Sequence, residues 1–181
     1  MRLASERLLD EVIRRSLRRL LRDLSSPSWR GREREVVSLF AFAHLVRLCR
    51  KSGVLFDTAQ IGIEVAVPQL KKSGAKSYVC KDVVIWHRPK MTAWNQDGKG
   101  REYPQAVIEF KSLNRADAAR VVQNKEHEHE TDITWLCETS KLATRFVGYA
   151  VLIDQRSRVT IECARANRGK VVKKWLSLGC L

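Results

Sequence analysis

The fold is decided by two stretches, Tyr78-Val-Cys-Lys-Asp-Val-Val-Ile-Trp86 and Gln105-Ala-Val-Ile-Glu-Phe-Lys111. Both are rich in apolar and β-branched residues, as buried strands are, yet charged side chains interrupt them. Burying a charge is costly, so Asp82, Glu109 and Lys111 require an explanation. Because side chains alternate along a strand, Glu109 and Lys111 project from one face, and the opposite face carries Ala106, Ile108 and Phe110. Two acids and a lysine on neighbouring strands predict a metal site beside a water-positioning cation.

The overall charge favours a polyanionic partner. The chain has 181 residues, of which 44% are hydrophobic, and it carries 34 basic against 20 acidic residues, a net charge of +14. This length predicts one soluble body with room for a core. Nucleic acid is the commonest partner of a protein with so strong a positive charge, and an anionic membrane surface is its main rival. The alternative is that the charge only makes an ordinary solvated surface. Residues 156–174 concentrate the charge and include Lys170 and Lys173.

The cysteines and the lengths of the apolar runs indicate in which cellular compartment the protein works. The five cysteines form no Cys-x-x-Cys pair and their number is odd, which argues against a zinc ribbon and a disulfide framework. We therefore expect reduced cysteines in a cytoplasmic protein. No apolar run approaches a membrane span, and the N-terminus does not resemble a signal peptide, so we expect no membrane partner.

Residues 1–28 are predicted to form an N-terminal helical arm. Apolar residues recur at three- and four-residue steps over residues 5–24, so this segment is an amphipathic helix with arginines largely off its apolar stripe. Three alternatives follow for it. The helix packs on the body or on a second subunit, binds nucleic-acid backbone through its arginines, or lies on a membrane.

Residues 29–181 are predicted to form the main α/β domain. An apolar helix over residues 31–51 must be buried, and five strands and a second helix follow in the order α-β-β-β-α-β-β. The strands are predicted at residues 60–67, 78–86, 106–111, 145–154 and 159–164, and the second helix at residues 116–142. The loop over residues 87–104 offers four cations as phosphate contacts, with solvated loop charge as the alternative: Arg88, Lys90, Lys99 and Arg101.

The order of these motifs resembles the PD-(D/E)xK nuclease superfamily. The run Glu33-Arg-Glu-Val-Val37 opens a helix, Asp82 opens the apolar half of a strand, and Glu109-x-Lys111 ends the next strand before another helix. Taken alone, Glu109-x-Lys111 would be an ordinary same-face pair. The combination over residues 29–154 is most similar to archaeal-type Holliday-junction resolvases and small restriction-endonuclease-like proteins. It implies a restriction-endonuclease-like core, a mixed central sheet flanked by helices, with the N-terminal amphipathic helix as an addition.

The resemblance also implies roles for single residues. Asp82 and Glu109 would hold Mg²⁺ or Mn²⁺, with the backbone carbonyl of Phe110 as a further ligand, since these ions prefer hard oxygen donors. Lys111 would orient or help deprotonate the attacking water. Glu33 would complete the metal shell, and Glu35 is its rival because both lie in the first helical turn.

Other positions are candidates for contacts with the substrate. Lys81 stands where the family name has proline, and it would hold a phosphate or mark drift from the family. On the second helix Gln123 or Lys125 would face the phosphate. His127 and His129 are two residues apart and cannot share a helix face, so they do not form a zinc motif. With Arg88, Lys90, Lys170 and Lys173, Lys81 and Lys125 make up the expected DNA contacts.

These inferences predict a Mg²⁺-dependent endodeoxyribonuclease. Its substrate could be a branched structure, a specific duplex site, or foreign DNA in a defence or mobile-element setting, and the resemblance does not choose among them. A homodimer through the N-terminal helix is implied because related enzymes cut two strands with paired sites. The alternative is a protein that keeps the nuclease fold for nucleic-acid binding or assembly without turnover.

Overall fold

A computed structural model of the protein describes residues 6–29, 31–52, 58–69, 78–93 and 102–179. Its helices are α1 (Glu6–Leu24), α2 (Glu33–Ser38), α3 (Val46–Ser52) and α4 (Ala119–Leu142). A π-helical segment (Leu39–Leu45) joins α2 to α3, and a 3₁₀ turn (Thr58–Gln60) precedes the first strand. The strands are β1 (Ile61–Pro68), β2 (Tyr78–Ile85), β3 (Ala106–Leu113), β4 (Val147–Asp154), β5 (Thr160–Asn167) and β6 (Lys170–Gly179).

The six strands form one mixed sheet in the order β1-β2-β3-β4-β5-β6. Every neighbouring pair is antiparallel except β3 and β4, which are parallel. Helix α4 makes the crossover between those two strands, as a parallel pair requires. The prediction of an α/β fold with a mixed sheet flanked by helices is therefore confirmed.

The predicted element order was wrong at its end, because it omitted β6. This strand pairs with β5 at the edge of the sheet, and of its ten residues only Leu176 is buried. Lysines stand at Lys170, Lys173 and Lys174, which obscures the alternation typical of a half-buried strand. Charged residues of this kind protect an exposed sheet edge from pairing with other chains.

Helix α1 packs on the body of the same chain, which is one of the three alternatives for it. Its apolar stripe is buried in the main core, from Leu9 through Leu17 to Leu24. Two of its acids also bind the sheet: the Tyr149 hydroxyl donates to Asp10 at 2.6 Å, and the Asn167 amide donates to Glu6 at 2.6 Å. A dimer contact through α1 would therefore have to use its arginine-rich outer face, and it stays a prediction.

The apolar helix predicted over residues 31–51 forms as α2, the π-helical segment and α3 in succession. It covers the same face of the sheet as α1, and the Phe40 ring packs against Phe110 with ring centres 5.0 Å apart. The expectation that this helix is buried on most sides was wrong at Phe42, whose exposed fraction is 67%.

Helix α4 covers the opposite face of the sheet. It lies so close to β4 that a Cβ added to Gly148 would stand 2.7 Å from the Cβ of Leu136. This tight contact holds the polar face of α4 over β3, where the candidate site lies. Among the described residues, no helix has the length and apolarity needed to cross a membrane.

Candidate active site

The second half of β3 carries the site. Ala106, Ile108 and Phe110 belong to the core beneath α1, whereas Lys111 contacts Glu128 and Asp132 of α4 and Glu109 pairs with Lys81 of β2. The alternation expected from the sequence is thus observed. It turns two charged side chains of a buried strand toward the polar face of a helix.

Asp82 lies opposite Glu109 at the point where β2 and β3 separate. The ladder between these strands ends with the pair Val83 and Ile108, and continuing the register by one residue brings Asp82 beside Glu109. The Phe110 amide donates to Asp82 Oδ2 at 2.7 Å, so a side chain replaces the next backbone acceptor. The amide and carbonyl of a strand residue point to the same side, so the Phe110 carbonyl is also directed toward β2.

The structure distinguishes the two acids of the first turn of α2. The Ser112 amide donates to Glu33 Oε2 at 3.1 Å, and Glu33 Oε1 lies 3.8 Å from Lys111 Nζ. Glu35 instead accepts the backbone amide of Arg32 at 2.9 Å and stays exposed at the start of its own helix. Glu33 is therefore the helix acid that adjoins β3.

Helix α4 adds two carboxylates that sequence reasoning missed. Glu128 Oε2 lies 3.7 Å from Lys111 Nζ, and Asp132 Oδ2 lies 3.9 Å from the same atom. They are four residues apart and so share one helix face, a periodic signal that was present in the sequence. Only Gln123 and Lys125 of this helix were predicted to face the substrate, and neither Glu128 nor Asp132 was assigned a role.

Lys81 is enclosed in the site rather than displayed on the surface. Its exposed fraction is 4%, and its Nζ lies 2.7 Å from Glu109 Oε1 and 3.4 Å from Asp132 Oδ1. The Trp135 ring centre lies 4.2 Å from the same ammonium. The approach to Glu109 is close but poorly aligned, and Glu109 Oε1 is buried with no hydrogen bond of good geometry. In this arrangement the predicted phosphate contact is an ion pair inside the protein.

Burial and mutual repulsion raise the pKa values of Glu109, Asp82 and Glu33. Burial raises the pKa of Glu109 to about 8, although the Lys81 ammonium opposes the change. Burial also raises the pKa of Asp82, against the Phe110 hydrogen bond, and that of Glu33, against the Lys111 charge. Burial alone would lower the pKa of Lys111, but the surrounding carboxylates outweigh it and raise that pKa. The site thus concentrates more negative charge than its lysines neutralise.

The donor set suits a metal ion that needs few protein ligands. In the part of the chain that the structure describes, no group of three or more His, Cys, Asp or Glu side chains is arranged to hold a metal. Mg²⁺ usually keeps several waters and binds through one or two carboxylates plus substrate phosphate oxygens. Asp82, Glu109 and the Phe110 carbonyl fit that pattern, and the poorly satisfied Glu109 oxygen is the atom that a cation would stabilise.

A cavity of about 410 Å³ opens beside Glu33. Two cations, Arg32 and Lys125, take part in its lining. Lys125 donates to Asp117 at 2.9 Å and to the Ser112 carbonyl at 2.8 Å, so it is fixed at the end of β3. A phosphate group entering the cavity would approach both cations and the Glu33 carboxylate.

The other predicted DNA contacts lie away from the site. Arg88 and Lys90 follow β2, and because β2 and β3 are antiparallel they are at the opposite end of the sheet from Lys111. Lys170 and Lys173 are exposed on the edge strand β6, where Lys173 pairs with Glu130 at 3.1 Å. Lys99 and Arg101 lie outside the described residues. These contacts stay predictions.

Comparisons with known proteins found no matching family, no similar curated protein and no similar solved structure.

Proposed function

We propose that the protein is a metal-dependent DNA endonuclease of the PD-(D/E)xK type, with a restriction-endonuclease-like core. The observation that carries the proposal is the convergence of four side chains at the end of β3. Asp82 accepts the Phe110 amide, Glu33 accepts the Ser112 amide, and Glu109 and Lys111 project between them from the same strand face. If Glu109 and Lys111 were only an accidental same-face pair, there would be no reason for two further acids, Asp82 of β2 and Glu33 of α2, to bind neighbouring backbone amides of β3.

Asp82 and Glu109 would hold Mg²⁺ or Mn²⁺, assisted by the Phe110 carbonyl. When bound, the ion supplies a Lewis acid that stabilises charge on the scissile phosphate. The Phe110 amide fixes the orientation of Asp82 through its 2.7 Å hydrogen bond. Asp82 therefore presents its other oxygen without having to reorganise, which is how preorganised sites reduce the cost of binding.

Lys111 and Glu33 would act on the attacking water. The surrounding carboxylates raise the pKa of Lys111, which favours its charged form, so Lys111 would orient the water as a hydrogen-bond donor. Glu33 has a raised pKa, which brings it closer to the working pH of a general base. Its Oε1 is 3.8 Å from Lys111 Nζ, so one water could contact both groups.

DNA would reach the site from the side of the cavity beside Glu33. Arg32 and Lys125 line that cavity, and the net charge of +14 would draw a polyanion toward it. The candidate substrates are a branched structure, a specific duplex site and foreign DNA. The described cysteines Cys49, Cys80, Cys137 and Cys163 are free, which is compatible with work in a reducing cytoplasm.

One observation favours the second candidate, a nucleic-acid-binding or assembly protein that keeps the fold without turnover. Lys81 already occupies the position 2.7 Å from Glu109 Oε1, so a cation of the chain itself stands beside this carboxyl with no metal bound. The retention of Asp82, Glu109 and Lys111 on one site favours the nuclease.

The test is cleavage of plasmid, linear duplex and four-way-junction DNA in Mg²⁺, Mn²⁺ or EDTA. The nuclease requires cutting that depends on metal and is lost in Lys111→Ala. Lys141→Ala, which breaks an exposed pair with Glu138 on α4, is the matched control and should cut normally. DNA binding with no cutting of any substrate would support the second candidate instead.

A further inference from the structure

Lys81 is a buried cation that the proposed reaction does not use. Its ammonium lies between Glu109 Oε1 at 2.7 Å and Asp132 Oδ1 at 3.4 Å, against the face of Trp135. Lysine is seldom fully buried, and a buried ammonium needs paired charge to offset its desolvation. The oxygen that the Lys81 ammonium contacts at 2.7 Å belongs to Glu109, a proposed metal ligand.

We propose that Lys81 occupies the position beside Glu109 that a divalent ion would take, that the ion would displace its ammonium, and that Asp132 receives the displaced ammonium. This inference rests on the proposed function, since it concerns the same metal site. It makes Lys81 and Asp132 positioning residues that set how tightly the site binds its metal.

Charge repulsion supports the displacement. A divalent ion on Glu109 would lie next to an ammonium held 2.7 Å from the same carboxylate, and like charges at such separations repel strongly in a poorly solvated site. Lys81 therefore either leaves Glu109 or keeps the ion out.

The surroundings of Lys81 permit a short movement without exposure. Asp132 Oδ1 is already 3.4 Å from the ammonium, and the Trp135 ring offers a cation–π surface on the way. The ammonium can therefore exchange one carboxylate for another while remaining buried.

Movement of the Lys81 ammonium toward Asp132 would also affect Lys111. The second oxygen of Asp132 lies 3.9 Å from Lys111 Nζ, so one carboxylate contacts both lysines. When Asp132 takes up the Lys81 charge, its attraction for Lys111 weakens. Lys111 would then be freer to turn toward the water and the substrate, so metal loading would prepare the lysine.

The first measurement is Mn²⁺ affinity of the metal-free protein by calorimetry, without DNA. Lys81→Met keeps the length of the side chain and removes its charge, and we expect Mn²⁺ to bind at least about tenfold more tightly. Removing the ammonium also raises the proton affinity of Glu109, but the doubly charged ion gains more than the proton. Lys141→Met is the matched control on α4 and should bind Mn²⁺ like the wild type, and Lys81→Gln is the substitute if Lys81→Met does not fold.

A double-mutant cycle tests the role of Asp132. Asp132→Asn should weaken Mn²⁺ binding in the wild-type background, and the weakening should be smaller beside Lys81→Met because no ammonium then needs a receiver. Equal weakening in both backgrounds, or Lys81→Met binding no more tightly than the wild type, would overturn the inference while leaving the metal site intact. No Mn²⁺ binding by the wild type and by both Lys81 variants would overturn the proposed metal site itself.

Discussion

Glu109 is the residue on which the chemistry of the site depends. Its carboxyl is buried, it faces Asp82 and Asp132, and its only cation within ion-pair distance among the described residues is Lys81. A carboxyl in this position favours its protonated form until a stronger cation stabilises the charged one. The free energy of unfolding should therefore depend on pH and on metal in a way that identifies this group.

The metal-free protein should lose stability as the pH rises from 6.5 to about 8. The folded pKa of Glu109 is about 8 against an ordinary value of 4.5, so in this window the folded state binds more protons than the unfolded state. Stability from this group is complete below pH 4.5 and is lost through pH 8. The three histidines with lowered pKa values act in the opposite direction only below 6.5: His44, His87 and His129.

Denaturant unfolding at several pH values measures this effect, which should amount to roughly 2 kcal/mol across the window. Glu109→Gln should flatten the dependence, and saturating Mg²⁺ should do the same in the wild type because the ion stabilises the charged carboxylate. A metal-free protein that is equally stable at both ends of the pH window would show that folding does not raise the pKa of Glu109.

The two acids of α2 should separate in function. Glu33→Gln should lower the cleavage rate by at least about 10²-fold, the usual contribution of a general acid–base group, with little effect on DNA affinity. Glu35→Gln should cut at the wild-type rate and show only a small fall in melting temperature, because Glu35 accepts the Arg32 amide at the helix start. The reverse result would exchange the roles assigned to these residues.

The individual residues of the site differ in how far the sequence alone could predict them. Asp82, Glu109 and Lys111 were identified because charge in apolar, strand-like sequence is conspicuous, and Glu33 was identified through the resemblance to the nuclease superfamily. Asp132 was not, because an acid on a polar helix is ordinary and only the docking of α4 brings it to Lys81 and Lys111. Lys81 was expected at a phosphate, and its burial follows from the three-dimensional position of Trp135, which the sequence does not reveal.

At the level of elements, α1 is part of the core. Seven of its apolar residues are buried against the other helices and the sheet, and Arg165 and Tyr149 hold Asp10. The periodicity of α1 predicted its apolar stripe, but the partner of that stripe depends on packing and could not be predicted. The interleaved acids have a clear reason in the structure, since Glu6 and Asp10 bind polar side chains of β4 and β5.

Leu17→Ala should therefore destabilise the whole protein, by about 2–5 kcal/mol, because Leu17 is fully buried and its removal leaves a cavity. Arg18→Ala, next to it on the exposed face of α1, should change the free energy of unfolding by less than about 0.5 kcal/mol. Denaturant unfolding gives both values. If Leu17→Ala were as mild as Arg18→Ala, α1 would be an independent arm.

The strands show the same division between local pattern and context. All five predicted strands form within a few residues of their expected bounds, because they are short runs rich in apolar and β-branched residues. Strand β6 was missed because it is an exposed edge whose cations hide the alternation. The π-helical segment gives no comparable signal in a helix that is apolar through most of its length.

The charge of the whole molecule should make DNA binding strongly dependent on salt. A protein that neutralises 6–10 phosphates loses about 10³–10⁵ in affinity between roughly 50 and 200 mM salt. We expect the loss of affinity of this chain, whose net charge is +14, to lie within that range. Arg32→Gln should reduce the slope of log affinity against log salt concentration by about 1. Fluorescence anisotropy with labelled duplex gives both quantities. An affinity that is independent of salt would exclude the phosphate backbone as the main contact.

Two carboxylates from antiparallel strands, one helix acid and one lysine meet at the end of β3, with a second lysine occupying the position beside Glu109. The proposed function therefore depends on whether a metal binds at this position. The most direct measurement is anomalous diffraction from crystals soaked in Mn²⁺. We expect one strong peak in bonding contact with Asp82 and Glu109, and Lys81 turned toward Asp132. Saturating Mn²⁺ with no peak at these carboxylates, and Lys81 still on Glu109, would contradict it.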